Sequence, residues 1–277
     1  METTATEALL RRDRVIVIAG LAIIMLLAWY YIVTGAGTGM NVLAMTRFAV
    51  SPGAFARAGM AMRLEWTGEY WLIMIMMWWV MMIAMMVPSA APVILLYARV
   101  TRHGRTGARS VSGIVPTAMF AGGYVTAWLG FSVLAVGLQF GFERAGLVSS
   151  MMMWSLDPWL SAGVLLAAGV YQLTPLKQVC LERCRTPAHF LSSHWQPGRI
   201  GAVRMGIRHG AFCVACCWAL MALLFVGGTM NLLWIAGLAI FVLVEKVLPW
   251  GEWLARAGGV ACLAAAIWLG VRAIGLA

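Results

Sequence analysis

Tyr70-Trp-Leu-Ile-Met-Ile-Met-Met-Trp-Trp-Val-Met-Met-Ile-Ala-Met-Met-Val-Pro-Ser-Ala-Ala-Pro-Val-Ile-Leu-Leu-Tyr-Ala98 contains no Asp, Glu, Lys or Arg. The hydrocarbon core of a bilayer takes about 20 apolar residues as a helix, so this stretch is long enough to cross it. Ser110–Phe142, Pro158–Leu176 and Gly210–Val244 are equally free of charge, and the last is long enough to cross twice. Lipid offers no partners for open backbone groups, which excludes scattered strands and leaves helices.

Composition agrees. The chain has 277 residues, 62% of them hydrophobic and 11% charged, where a soluble domain carries about 25% charged residues. Mean hydropathy is +0.87. These features predict an all-α, polytopic membrane protein forming one domain over residues 1–277. Seven spans are expected, at about 15–33, 70–98, 114–140, 158–176, 210–228, 232–248 and 253–274. The turn signal Gly227-Gly-Thr-Met-Asn231 divides the fifth from the sixth, and Arg256 and Arg272 sit at the ends of the seventh. Arg11-Arg12-Asp13-Arg14 before the first span resembles the start of a signal peptide. The apolar stretch behind it is nearly 20 residues long and no Ala-x-Ala site follows, so it is read as an anchor.

Basic residues set the orientation. A cytoplasmic N-terminus puts Arg11, Arg12, Arg14, Arg99, Arg102, Arg105, Arg109, Lys177, Arg183, Arg185, Arg199, Arg204, Arg208, Lys246 and Arg256 on the cytoplasmic side. Of the 20 basic residues only Arg47, Arg57, Arg63, Arg144 and Arg272 fall outside that set. The expected topology is therefore N-terminus cytoplasmic, C-terminus periplasmic. The net charge of +10 is accounted for without nucleic acid; the partner that composition demands is the lipid bilayer.

Five of the six cysteines form two clusters, Cys180-x3-Cys184 and Cys213-x2-Cys216-Cys217. Each abuts a span, and both fall at the cytoplasmic face in this topology. Cys213 and Cys217 share a helical face, with Cys216 nearly on it. Cys180 and Cys184 are one turn apart if the helix continues past Pro175. The cytosol keeps thiols reduced, which argues against structural disulfides there, and Lys177, Arg183, Arg185 and Arg208 favour the thiolate. Converging thiolates, with His209 or His189, would hold a soft metal such as Cu(I), zinc or an iron–sulfur centre. The competing reading is inert packing, because cysteine behaves as a small apolar residue in helices; that reading applies first to the lone Cys262.

In the second span Met74, Met77, Met81 and Met85 form one stripe, and Met82 and Met86 an adjacent one. Thioethers bind Cu(I) selectively, and they also fill irregular cores. Pro88 and Pro92 are expected to interrupt and kink this span near Met85 and Met86. Met151-Met152-Met153, in the outer loop before Asp157-Pro158, is read first as an apolar cap against the membrane and second as a capture point for periplasmic Cu(I), and Glu245-Lys246 as an interfacial charge pair or a counter-charge for a cation site. No nucleotide-binding pattern and no Ser/His/Asp arrangement is present.

Met81-Met-Ile-Ala-Met-Met-Val-Pro-Ser89, Thr174-Pro-Leu-Lys-Gln-Val-Cys-Leu-Glu-Arg-Cys-Arg-Thr-Pro187 and Gly206-Ile-Arg-His-Gly-Ala-Phe-Cys-Val-Ala-Cys-Cys-Trp-Ala-Leu-Met221 belong together, with Met230-Asn-Leu and Glu245-Lys246. From about Trp66 to Gly251 the chain resembles a bacterial family of predicted metal-binding integral membrane proteins of unknown function, some of them labelled copper chaperones. The resemblance implies metal binding in the inner membrane at Met81, Met82, Met85, Met86, Cys180, Cys184, Cys213, Cys216 and Cys217.

Three functions are weighed. The first is a non-enzymatic Cu(I)-binding protein serving delivery, export or the assembly of a copper-requiring membrane or periplasmic protein. The second is a membrane thiol–disulfide oxidoreductase using Cys213 and Cys216. The third is a structural or assembly subunit without metal.

Overall fold

A computed structural model describes residues 5–38, 42–51, 65–103 and 114–275, with side chains from Arg14 onward. Arg57, Arg63, Arg105 and Arg109, used in the orientation argument, lie outside the described residues. The elements are α1 (Ala5–Val33), α2 (Val42–Ala49), α3 (Gly68–His103), α4 (Ile114–Arg144), α5 (Pro158–Leu173), α6 (Pro175–Arg185), α7 (Pro187–His194), α8 (Gly198–Ala222), α9 (Leu224–Gly227), α10 (Leu232–Val247) and α11 (Gly251–Ala273). Among the described residues the only strand-like feature is the single bridge between Val148 and Ser155.

Five helices are long and apolar enough to cross a membrane, and α5 with α6 makes a sixth if that bent pair counts as one span. The polytopic all-α architecture therefore holds. The expected sixth span corresponds to α10, which is apolar but only 16 residues long. Leu26, Leu27, Leu134, Leu233, Ile240 and Ile267 point outwards, half or more exposed, as side chains facing lipid do.

Three local details differ from the sequence reading. First, α3 runs unbroken through Pro88 and Pro92, so the expected interruption does not occur; neighbouring elements in a membrane bundle can satisfy freed backbone groups. Second, α8 begins at Gly198 rather than Gly210. Cys213, Cys216 and Cys217 therefore stand in the middle of a long helix, not in its first two turns. Third, the helix does resume after Pro175, but turned by 66°. Thr174 is extended (φ −74°, ψ 147°), ends α5, and accepts the backbone N–H of Lys177 to cap α6, whose first residue is Pro175. Proline at that position needs no donor, so the break costs little. The bend swings α6 across α8.

The most extensive helix–helix contact among the described residues is that of α4 with α8. A Cβ on Gly206 would lie 2.0 Å from the Phe120 carbonyl oxygen, and one on Gly210 would lie 2.6 Å from Ala127 Cβ. Gly206-x3-Gly210 is thus a small-residue stripe that lets two backbones meet within the membrane. On its other side α4 packs against α3, which also contacts α1 and α10. Trp79 Nε1 donates to the Val125 carbonyl at 2.8 Å across the α3–α4 seam.

Candidate metal centre

The backbone approach of α4 to α8 and the bend before α6 bring four thiols to one buried place. Cys184 Sγ, from α6, stands 3.8 Å from Cys216 Sγ on α8. Cys216 Sγ is 3.3 Å from Cys217 Sγ. The Cys213 thiol lies within electrostatic reach of those of Cys184, Cys216 and Cys217. All six cysteines are free. Cys180 does not join the four; it lies one turn earlier, with Lys177 and Arg183 as its charged neighbours.

The cation at the thiols is Lys246, whose Nζ is 2.9 Å from Cys213 Sγ and 3.4 Å from Ser89 Oγ. Of the basic residues expected near the thiols, Lys177 lies within electrostatic reach of Cys216 and Cys217 but takes other partners, and the arginines are engaged elsewhere. Lys177 donates to the Cys216 carbonyl at 2.7 Å and stands 2.5 Å from Glu245 Oε1. Arg183 lies over the Phe212 ring, Arg185 donates to the Leu248 and Pro249 carbonyls, and Arg208 is exposed. Glu245 and Lys246 are both buried, so they are not an interfacial pair. Adjacent residues on a helix point in directions about 100° apart, and each finds its own partner.

A buried ammonium is tolerated only where counter-charge and hydrogen bonds compensate its lost hydration. Glu245 provides this for Lys177, and Cys213 sulfur faces Lys246. Tyr124 completes the wall: its hydroxyl is 3.0 Å from Cys213 Sγ and 3.1 Å from the Met86 carbonyl, to which it donates. This contact ties the α3 methionine segment to the thiols. Met81, Met82, Met85 and Met86 are all buried, on the helix that reaches the site through Met86 and Ser89. His209 is buried one turn before Cys213, among Phe120, Tyr124 and Phe190, and its Nδ1 has no hydrogen-bond partner. His189 is exposed. The Met151-Met152-Met153 run behaves as a cap: Met152 and Trp154 form a small core with Met45, Phe48 and Met151.

The donor chemistry suits a soft ion. Two thiolates bonded at about 2.3 Å to one ion stand roughly 3.8 Å apart, which is the Cys184–Cys216 separation. As the side chains stand, no group of three or more His, Cys, Asp and Glu among the described residues is arranged to hold a metal ion. The fit is therefore to a pair of sulfur donors, not to a closed cage.

Sequence reasoning passed over Tyr124, and read Lys177 as a cation favouring the thiolates rather than as the buried partner of Glu245. Tyr124, Trp128 and Ser132 recur at four-residue intervals within an otherwise charge-free run, a signal that marks one helical face. Nothing in the sequence marks Lys177 as buried, because its burial follows from the bend.

Fold and site together define a polytopic helical membrane protein with a buried thiol group held against a lysine. A family model described as copper chaperone (PpoB2) matches residues 75–269, most of the chain, and the protein belongs to that family. No curated protein and no solved structure matches it.

Proposed function

We propose that the protein binds Cu(I) through the thiols of Cys184, Cys213, Cys216 and Cys217 and handles it for delivery or transport within a bacterial inner membrane. The convergence of α6 and α8 sulfurs beside Lys246 carries this reading. Thiolates favour soft ions, Cu(I) among them, and Lys246 offers charge compensation for a thiolate-bound ion in a low-dielectric setting. Met81, Met82, Met85 and Met86 would pass the ion to or from the thiols, with His209 as a reserve donor. The family description supports copper handling in general terms.

The oxidoreductase reading is less favoured. Cys213, Cys216 and Cys217 are each about 1% exposed, which denies access to a partner thiol, and exchange requires access.

The test is metal analysis of the purified full chain after reconstitution with Cu(I). Stoichiometric copper that vanishes when Cys213, Cys216 and Cys217 are replaced by Ser supports the proposal. Copper-free protein overturns it.

A further inference from the structure

The thiols end a buried seam whose other end carries a carboxylate. Along α4 the side chains of Tyr124, Trp128, Ser132, Gln139 and Glu143 are all buried. Tyr124 and Glu143 are about 28 Å apart at 1.5 Å per residue, close to the roughly 30 Å of a hydrocarbon core. On α3 the thioether stripe Met74, Met77, Met81 and Met85 is buried at every member, and Met74 meets the α4 row at Gln139. Contacts pin the two rows together at both ends. Tyr124 meets Met86 at the thiol end. At the opposite end Gln139 Nε2 approaches Met74 Sδ at 3.7 Å, and Gln139 Oε1 accepts from Trp78 Nε1 at 2.8 Å.

Glu143 sits at the mouth of this seam. Its Oε1 accepts from Gln139 Nε2 at 2.8 Å and its Oε2 from Trp66 Nε1 at 3.0 Å. The Ser150 hydroxyl is also in hydrogen-bonding contact with it. Among the described residues no Lys, Arg or His forms an ion pair with Glu143, whereas Lys177 and Glu245 at the thiol end neutralise each other. Trp66 is ringed by Tyr70, Trp71 and Phe140 at centroid distances of 4.8–5.2 Å, and aromatic faces attract cations. A buried ionisable group in a membrane protein marks a candidate functional site, ion pathways among them.

We propose that Glu143, Gln139 and Met74 form a second, capture site for a monovalent soft cation, Cu(I) or Ag(I), at the membrane face opposite the thiols. From it the α3 thioethers lead to Cys213. The carboxylate draws the cation out of water, Met74 takes it as a soft donor, and the ion crosses as a bare cation without redox change. This rests on the copper reading of the thiols.

The experiment uses the full chain in phosphatidylcholine–phosphatidylglycerol vesicles loaded with a Cu(I)-selective chromogenic chelator, with buffered Cu(I) added outside. Wild-type protein is expected to fill the chelator faster than protein-free vesicles. Glu143→Gln should raise the half-saturating Cu(I) concentration roughly tenfold or more, since hydrogen bonds and contacts to a charged group are the stronger ones, with Glu143→Asp restoring part of it. Copper retained per chain after solubilising the same vesicles and washing with a chelator that strips weakly held ion should stay at the wild-type value, because the thiols are intact. Should Glu143→Gln fail to fold, Met74→Leu keeps the decision open, with slowed filling expected. Filling by Glu143→Gln or Met74→Leu at the wild-type rate and half-saturation overturns the capture site, as does wild-type filling no faster than protein-free vesicles. Absence of copper from wild-type chains overturns the thiol reading instead.

Discussion

Lys246 Nζ stands 2.9 Å from Cys213 Sγ, at the centre of the four-thiol group and at the end of a helix whose preceding residue, Glu245, pairs with Lys177. Two buried lysines thus divide the labour: one is neutralised by a carboxylate, and the other faces sulfur. On the proposed reading this division gives Lys246 a role in ion binding, while Lys177 holds α6 against α8 and α10.

Replacing Lys246 by Leu removes the ammonium from the thiols without adding a sulfur donor. Cu(I) affinity, measured by competition with a chelator, should fall about tenfold, equivalent to about 1.4 kcal/mol. Lys246→Arg keeps the charge and should lose less. Equal affinities for Lys246→Leu and wild type would exclude the counter-charge role.

Lys177→Met leaves Glu245 buried without its partner. Removing one member of a buried pair costs about 3–5 kcal/mol, so the thermal transition in detergent should drop sharply. Lys177→Met combined with Glu245→Leu removes both charges and should recover most of the loss. A purely additive double variant would show that the two residues do not act as a pair.

The two cysteines of α6 should separate by function. Cys184 touches Cys216, whereas Cys180 stands apart from the four thiols. Cys184→Ser should weaken copper retention during chelator challenge severalfold or more, and Cys180→Ser should leave it unchanged. The opposite ranking would place the metal on the other face of α6.

Gly206→Ala directs a methyl group to within 2.0 Å of the Phe120 carbonyl oxygen, which backbone cannot yield without parting α4 from α8. Overpacking of this kind costs about 1–3 kcal/mol, and it also pulls Tyr124 away from Cys213. Lower thermal stability and weaker copper binding should appear together. Gly237→Ala, whose Cβ meets nothing within 4 Å, should change neither.

The charge-free run from Tyr70 to Ala98, and others like it, was enough to establish a helical membrane protein, because crossing lipid is a matter of local length and polarity. Clustering of Cys213, Cys216 and Cys217 was equally visible, since residues three and four apart share a helical face whatever surrounds them. The sequence also pointed to Met81–Met86 and Glu245-Lys246 as positions of interest. It did not disclose that Cys184 meets Cys216 while Cys180 does not, for that depends on the 66° turn at Thr174. Nor did it disclose that Lys246 rather than Arg183 or Arg208 reaches the thiols, or that Gln139 meets the methionine stripe at Met74. Those pairings join residues far apart in the chain. They exist because Gly206 and Gly210 let α8 close onto α4, and because buried charges and polar groups must find partners once lipid has replaced water.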